Sequence, residues 1–175
     1  HSIPRMAASM NFSALAYLVT AARIGMHQSL IKRGIAGNPH ADVIVMSYPK
    51  SGRTWLRVML EHLGIFVRFD HGAANTVYSR VKPMLPQVVD PKTYGSKRVI
   101  FLSRDPRDIV VSSYFHAITR QKISDCPLSR YIRDPQRGID GIIRFQRAWL
   151  AARAIPAGFL PISYEDMQSD TAAVL

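Results

Sequence analysis

Residues 43–63, VIVMSYPKSGRTWLRVMLEHL, constrain the fold of this chain more than any other stretch. The segment from Val43 to Tyr48 is apolar, contains no turn residue and is typical of a buried parallel strand. Pro49 then breaks the strand, and Gly52 allows a tight turn. From Thr54 the apolar residues follow helical spacing, at Trp55, Leu56, Met59, Leu60 and Leu63. The segment therefore predicts a strand, a short loop and an amphipathic helix.

A loop between a strand and a helix is a suitable place to bind an anion. The first amides of the helix lack intrahelical acceptors, and the helix dipole favours negative charge there. Lys50 adds a mobile cation, and Ser51 and Thr54 add hydroxyl donors. The ATP-binding P-loop has its lysine after its second glycine, whereas Lys50 precedes the only glycine here. We predict a phosphate-binding loop without magnesium–triphosphate chemistry; an ordinary turn with solvated polar residues is the alternative.

The chain of 175 residues carries a formal charge of +11, and its length suits one domain with a sizeable core. The charge implies an anionic partner, and nucleic acid, an acidic membrane surface or a doubly phosphorylated nucleotide would each satisfy it. No apolar run reaches the roughly 18 residues of a membrane span. Cys126 is the only cysteine, so an intrachain disulfide is excluded. We predict a cytoplasmic protein.

The domain organisation follows from the change of pattern near residue 40. Residues 1–40 form a lead-in with an amphipathic helix over 12–33, and residues 41–175 form a single α/β domain. Peripheral membrane contact through the first helix is a minority alternative. Two stretches poor in periodicity and broken by prolines, 72–97 and 119–135, predict surface excursions.

The remaining regular elements alternate between strands and helices. Further strands are predicted over 65–69, 97–103 and 159–164, and helices after the capping residue Asp105 and over 138–154. This alternation predicts an α/β fold with a P-loop-like central parallel sheet and helices on both faces. Pro161 is unexpected in a central strand.

A second candidate ligand site follows the strand over 97–103. Arg104 lies just past its end, where open α/β sheets bind ligands, and a guanidinium can grip a phosphate bidentately. Ser112 lies eight residues later, two turns into the following helix, and can face the same ligand. A capped helix with a surface arginine is the alternative when this segment is considered alone.

These segments resemble the motifs of sulfotransferases that use 3′-phosphoadenosine 5′-phosphosulfate (PAPS) as donor. YPKSGRTW, residues 48–55, resembles their 5′-phosphosulfate loop, and RDPRDIVVSS, residues 104–113, resembles their 3′-phosphate motif. SYEDM, residues 163–167, resembles the family's Tyr-Glu-Asp element. The resemblance covers roughly residues 40–170 and is closer to bacterial members than to the aryl-type animal enzymes.

The resemblance implies roles for individual residues. Lys50 would stabilise the leaving phosphate, Trp55 would stack on the adenine, and Tyr164 would help to hold it. The implied donor-binding residues are Lys50, Ser51, Gly52, Arg53, Thr54, Trp55, Arg104, Ser112 and Tyr164. Arg53 stands where the family often has threonine or asparagine, and adds charge near the sulfate. The sequence also stops shortly after the Tyr-Glu-Asp element, so we expect a product that lacks its C-terminal part.

Transfer of a sulfuryl group also needs a base, and histidine is the usual one near neutral pH. The family often places its catalytic histidine after Lys-Thr, just past a strand, but no Lys-x-His triplet lies between the two motifs here. His71, after the second predicted strand, is the best candidate, with Asp70 and His116 as alternatives. The predicted activity is in-line transfer from PAPS to a hydroxyl or amine, which leaves adenosine 3′,5′-bisphosphate.

Other functions are less well supported. A P-loop-type nucleotide kinase or NTPase conflicts with the position of Lys50 and with the lack of an evident magnesium-binding carboxylate, and we predict no metal site. A basic nucleic-acid-binding module fits the charge, but no recognition signature occurs, so no nucleic-acid partner is expected. The acceptor is predicted only as a small molecule or a carbohydrate.

Overall fold

The computed structural model describes residues 42–65, 67–72, 89–120 and 126–174, all of which belong to one compact unit. The predicted helix over 12–33, residues 73–88 of the first excursion and residues 121–125 of the second lie outside these described ranges. The elements in chain order are β1 (Val43–Ser47), α1 (Arg53–His62), β2 (Arg68–Asp70), α2 (Pro91–Tyr94), β3 (Arg98–Ser103), α3 (Pro106–Phe115), α4 (Leu128–Ile132), α5 (Ile139–Ala151), β4 (Gly158–Ser163), α6 (Tyr164–Ser169) and α7 (Thr171–Val174).

The four strands form a parallel sheet in the order β2-β1-β3-β4. Ser47 of β1 pairs with Leu102 of β3, and Ser103 pairs with Ser163 of β4, so the strands end almost level with one another. Because the strands are parallel, the loops that follow them leave the sheet at the same edge. The two predicted phosphate loops therefore lie side by side.

Helices cover both faces of the sheet, which confirms the predicted fold class. One face packs against α3, α4 and α5 through Met46, Tyr48, Phe101, Ile109, Tyr131, Phe145 and Trp149. The other packs against α1 and α6 through Val45, Leu56, Leu60, Leu102, Ile162 and Met167. A fully buried side chain such as Leu56 contributes roughly 1.5–3 kcal/mol of transfer free energy. These two cores hold the loop edge in place.

The second strand lies later in the chain than its sequence indicates. A strand is predicted over 65–69, but β2 spans Arg68–Asp70. The reason is the end of α1, where Gly64 adopts a φ of 73° and its amide bonds the Glu61 carbonyl, while the Ile65 amide bonds the Leu60 carbonyl. This is a Schellman motif, which assigns Ile65 to the helix cap and leaves it unable to start the strand.

Helix α3 begins as predicted and ends unexpectedly. The Asp105 carboxylate caps it by accepting from the Arg107 amide, and Pro106 occupies its first position. At its end, residues His116–Arg120 continue the helix as a π-helical turn. The excursion predicted over 119–135 is therefore wrong in part, since it also contains α4, whose Tyr131 is buried in the core.

The position of Pro161 has a simple explanation. It lies in β4, which among the described residues is an edge strand, and it is exposed there. Proline is tolerated at edges because its missing amide removes no bond on the open side. None of the helices in the described ranges combines the length and the apolar character that crossing a membrane requires.

Candidate functional site

The loop between β1 and α1 has an unusual backbone conformation. Lys50 adopts a φ of 75°, although it is not a glycine, and Gly52 has a φ of 91°. A non-glycine residue in this region costs of the order of 1–3 kcal/mol and occurs most often at functional sites. Ser51 is fully buried, and its hydroxyl oxygen has no hydrogen-bond partner among the described residues. The loop thus holds a strained lysine beside a buried, unsatisfied hydroxyl group.

Arg104 connects the second predicted phosphate site to this loop. Its Nη1 donates to the backbone carbonyl of Lys50 at 3.3 Å, and its Nη2 lies 3.2 Å from Asp108 Oδ2. Within the described part of the chain, its buried Nε has no acceptor. Gln146 Nε2 on α5 donates to the Arg104 carbonyl at 2.7 Å and holds the backbone at this point. The lysine and the arginine therefore belong to one site.

Two aromatic residues border the same site. The rings of Trp55 and Tyr164 meet edge to face, with centroids 5.5 Å apart and an interplanar angle of 71°. The Arg104 guanidinium lies over the Tyr164 ring, 4.2 Å from its centroid. A Cβ added to Gly52 would be 2.6 Å from Cε2 of the same ring, which explains why only glycine fits there. Tyr164 thus joins the end of β4 to both predicted phosphate loops.

The charge around Lys50 is strongly positive. Burial lowers the pKa of Lys50, and the charges of Arg120 and Arg104 lower it further. Burial also lowers the pKa of His116, with smaller contributions from Lys50 and Arg120. The charges of Arg104 and Arg120 both act on Lys50, so a multiply charged anion would stabilise this site. The π-helical turn positions Arg120 and His116 near this site.

His71 lies directly after β2, on the opposite side of β1 from β3. Its Nδ1 is 2.6 Å from the Ser47 carbonyl oxygen, and its backbone amide donates to Asp70 Oδ1 at 2.7 Å. Since a carbonyl only accepts, Nδ1 carries the proton, and the neutral ring has its lone pair on Nε2. Burial, followed by the charge of Arg53, lowers the pKa of His71 to about 4. The ring is thus neutral at physiological pH, with one nitrogen able to accept a proton.

Comparison with known proteins agrees with these motifs. Sulfotransferase 2A2 from Rattus norvegicus is 30% identical, and the match covers 74% of this chain and 55% of that protein. A 3-beta-hydroxysteroid sulfotransferase from Cavia porcellus is 28% identical, and the match covers 77% of this chain and 56% of that protein. A flavonol 3-sulfotransferase from Flaveria bidentis is 22% identical, and the match covers 74% of this chain and 52% of that protein.

The chain belongs to the sulfotransferase family. It spans about half the length of the curated sulfotransferases it matches. No protein-family model matches the chain. Among solved structures, mouse sulfotransferase SULT7A1 complexed with PAP has a TM-score of 0.49 and 19% identity, and the match covers 77% of this chain and 55% of that chain. The three relatives come from animals and a plant, so the bacterial type stays a prediction.

The structure brings most of the predicted sulfotransferase residues together. Around Gly52 lie Lys50, Ser51, Trp55, Arg104 and Tyr164, from three different loops. Thr54 is exposed in the first turn of α1, and Ser112 is half-buried in α3. Whether each residue binds a donor stays a prediction.

Several contributors have no motif that reveals them. Arg120 is part of a turn that the sequence indicates as loop, and Gln146 lies on a helix predicted only for its apolar stripe. Glu165 Oε1 accepts from the Asp105 amide at 2.9 Å and ties the Arg104 loop to the start of α6. In the sequence, the pair Glu165 and Asp166 indicates only the start of a helix. In the described ranges, no three histidine, cysteine or acidic side chains form a group that could hold a metal ion.

Proposed function

We propose that this chain transfers the sulfuryl group of PAPS to a hydroxyl or amine of a small-molecule or carbohydrate acceptor. The observation that supports the proposal is the hydrogen bond from Arg104 Nη1 to the backbone carbonyl of Lys50, which joins the Arg104 side chain to the loop that carries Lys50. The relatives are named as sulfotransferases of hydroxysteroids and flavonols, which supports the reaction class. We also propose a cytoplasmic location, with which the single cysteine is compatible.

The residues of this site fit a donor with phosphate groups at both ends of an adenosine. The buried hydroxyl of Ser51 and the loop amides can donate to the 5′-phosphosulfate, as can the Lys50 ammonium. The unsatisfied Nε of Arg104 offers a further donor for the 3′-phosphate. Trp55 and Tyr164 supply flat apolar surface for the base. PAPS would bring the sulfuryl group, which is bonded to a phosphate oxygen that can leave.

In the proposed mechanism, the protein positions both reactants and compensates charge. The acceptor oxygen or nitrogen forms a bond to sulfur while the bond between sulfur and the phosphate oxygen breaks, in line. Lys50 donates to that leaving oxygen as negative charge develops on it. His71 Nε2 takes the proton of the acceptor, because Nδ1 is already committed to the Ser47 carbonyl. Adenosine 3′,5′-bisphosphate then dissociates.

Two other residues compete with His71 as the base. Asp70 accepts from the amides of His71 and Gly72 through Oδ1 and from Arg68 through Oδ2, so its carboxylate is already engaged. His116 lies near Lys50 and Arg120, so it is placed beside the donor phosphates. We favour His71 because its hydrogen bond fixes the tautomer that a base needs. His71→Asn should remove transfer, and His116→Asn should retain it.

Thermal melting distinguishes the proposed function from the alternatives. If the site binds a sulfotransferase donor, adenosine 3′,5′-bisphosphate without magnesium should raise the melting temperature. At a hundredfold excess of ligand over Kd, the folded state gains about 2.7 kcal/mol of stability. If the chain is a nucleotide kinase, ATP with magnesium should raise the melting temperature instead. If it is a nucleic-acid-binding module, duplex DNA should raise the melting temperature, and the effect should shrink as salt is added. No shift with the bisphosphate would overturn the proposal. Labelled PAPS with a panel of acceptors then tests transfer itself.

A further inference from the structure

The side chain of Arg53 belongs to a different part of the site from Lys50. Arg53 and Arg57 lie one turn apart on the same face of α1. The Arg57 guanidinium lies 4.4 Å from the ring centroid of Phe69, so this face of the helix packs over β2. Since a helix that follows a parallel strand runs back along the sheet, Arg53 at its start lies nearer the end of β2. Asp70 is the last residue of that strand, and His71 follows it.

The electrostatic effects on the pKa values agree with this division of the site into two regions. Burial and the charge of Arg57 lower the pKa of Arg53 to about 10, whereas Asp70 raises it. Arg53 in turn lowers the pKa of His71. The cations that affect Lys50 are Arg120 and Arg104 instead. The guanidinium of Arg53 therefore faces the candidate base, whereas its backbone amide belongs to the phosphate loop.

Arg53 carries a partly buried charge without a counterion of its own. In the parts of the chain described here it has no hydrogen bond and no ion pair. The nearby carboxylate of Asp70 binds the amides of His71 and Gly72 and the guanidinium of Arg68. A desolvated cation next to the base is costly unless an anion accompanies it. The donor phosphates fit the other region, around Lys50 and Arg104.

We propose that the Arg53 guanidinium binds an anionic group of the acceptor, such as a carboxylate, while the acceptor hydroxyl faces His71. The inference rests on the proposed function and adds a substrate class to it: hydroxylated acids. A planar guanidinium suits a carboxylate because it can donate two parallel hydrogen bonds. Arg53 would thus be a residue that determines acceptor specificity.

Matched acceptors test this assignment. Binding of 3- and 4-hydroxybenzoate, and of the isosteric neutral 3- and 4-hydroxybenzamide, is measured by calorimetry with adenosine 3′,5′-bisphosphate present. Transfer from labelled PAPS to each is measured in parallel. We expect the wild-type chain to prefer a carboxylate by about tenfold or more, as for hydrogen bonds between charged groups. Arg53→Gln should abolish the preference by weakening the binding of the two acids to the level of the amides, and Arg53→Lys should retain part of it.

A matched control removes one positive charge elsewhere. Arg98 is exposed and is the first residue of β3, so it lies at the end of the strands opposite the candidate site. Arg98→Gln should therefore leave the preference for the carboxylate unchanged. If the wild-type chain binds the bisphosphate but shows no preference for the carboxylate acceptors, this inference is overturned and the proposed function is not. The inference is also overturned if Arg53→Gln loses affinity for the bisphosphate and weakens the binding of acids and amides equally, because Arg53 would then bind the donor. Absence of bisphosphate binding overturns the proposed function as well.

Discussion

The ring of Tyr164 lies against the Cα of Gly52, so closely that any side chain at position 52 would overlap with ring carbons Cδ2 and Cε2. The contact joins the end of β4 to the first predicted phosphate loop. It also places Tyr164 between Trp55 and the Arg104 guanidinium. Gly52 is therefore required for two reasons, a backbone φ of 91° and the lack of space for a Cβ.

Gly52→Ala should destabilise the chain by both effects. The positive φ alone costs of the order of 1–3 kcal/mol for a residue with a side chain, and displacement of Tyr164 adds to it. Gly64→Ala is the matched control, because Gly64 has a φ of 73° and no atom within 4 Å of an added Cβ. Urea unfolding should show a larger loss for Gly52→Ala, and Tyr164→Ala should relieve the excess. Equal losses for the two glycine variants would argue against the steric contact.

Lys50→Ala should abolish transfer more completely than it abolishes binding. Stabilisation of charge that develops on a leaving oxygen acts in the transition state, and its removal typically costs about 100- to 1,000-fold in kcat. Single-turnover kinetics with labelled PAPS measures this step. Lys97→Ala is the control, because Lys97 pairs with Asp42 just before β3, at the other end of the sheet. An unchanged rate in Lys50→Ala would count heavily against the mechanism.

Nucleotide binding should begin to weaken at a lower alkaline pH than it would with a lysine of ordinary pKa. The pKa of Lys50 is lowered from 10.5 by burial and by the charges of Arg120 and Arg104, so the free protein loses this proton at a lower pH. A bound phosphate favours the charged form, so affinity is highest below the lowered pKa and falls as pH rises through it. Calorimetry with adenosine 3′,5′-bisphosphate from pH 7 upward measures the fall. Lys50→Arg should move it to higher pH; a wild-type curve that first declines above the ordinary lysine pKa would refute the explanation.

His71 should remain neutral until strongly acidic pH. Burial and the charges of Arg53 and Arg57 lower its pKa to about 4, and these effects outweigh the hydrogen bond to Ser47 and the charge of Asp70, which raise it. NMR titration of the imidazole nitrogens should show a protonated Nδ1 at pH 7 and a midpoint near 4. Arg53→Gln should raise this midpoint towards the ordinary value of 6.5, because one repelling charge is gone. A midpoint already near 6.5 in the wild type would contradict the described surroundings of the ring.

The two strand–loop–helix segments that carry Lys50 and Arg104 could be predicted from sequence because each is a local pattern. An apolar strand, a turn and a helix start surround both Lys50 and Arg104, and their side by side arrangement follows from parallel strands. The start of β2 could not be predicted, since the Schellman motif at Gly64 and Ile65 is one of several ways to end α1.

The contribution of Arg120 depends on the packing of the whole helix α3. Its polar neighbours indicate a loop, and nothing local predicts that the helix continues past His116 as a π-helical turn. The orientation of Arg53 could not be predicted from the sequence either. The motif assigns its backbone to the predicted phosphate loop, whereas α1 turns its side chain towards β2. Tertiary packing, rather than propensity, decides both positions.

The claim that Lys50 and Arg104 hold opposite ends of one nucleotide is tested most directly by the affinity for adenosine 3′,5′-bisphosphate relative to adenosine 5′-phosphate. Calorimetry on the wild type should show a preference for the bisphosphate on the order of 10- to 100-fold, as expected for a lost charged hydrogen bond. Arg104→Ala should abolish that preference, whereas Lys50→Ala should weaken both nucleotides and leave it intact. A preference that persists undiminished in Arg104→Ala would contradict the claim.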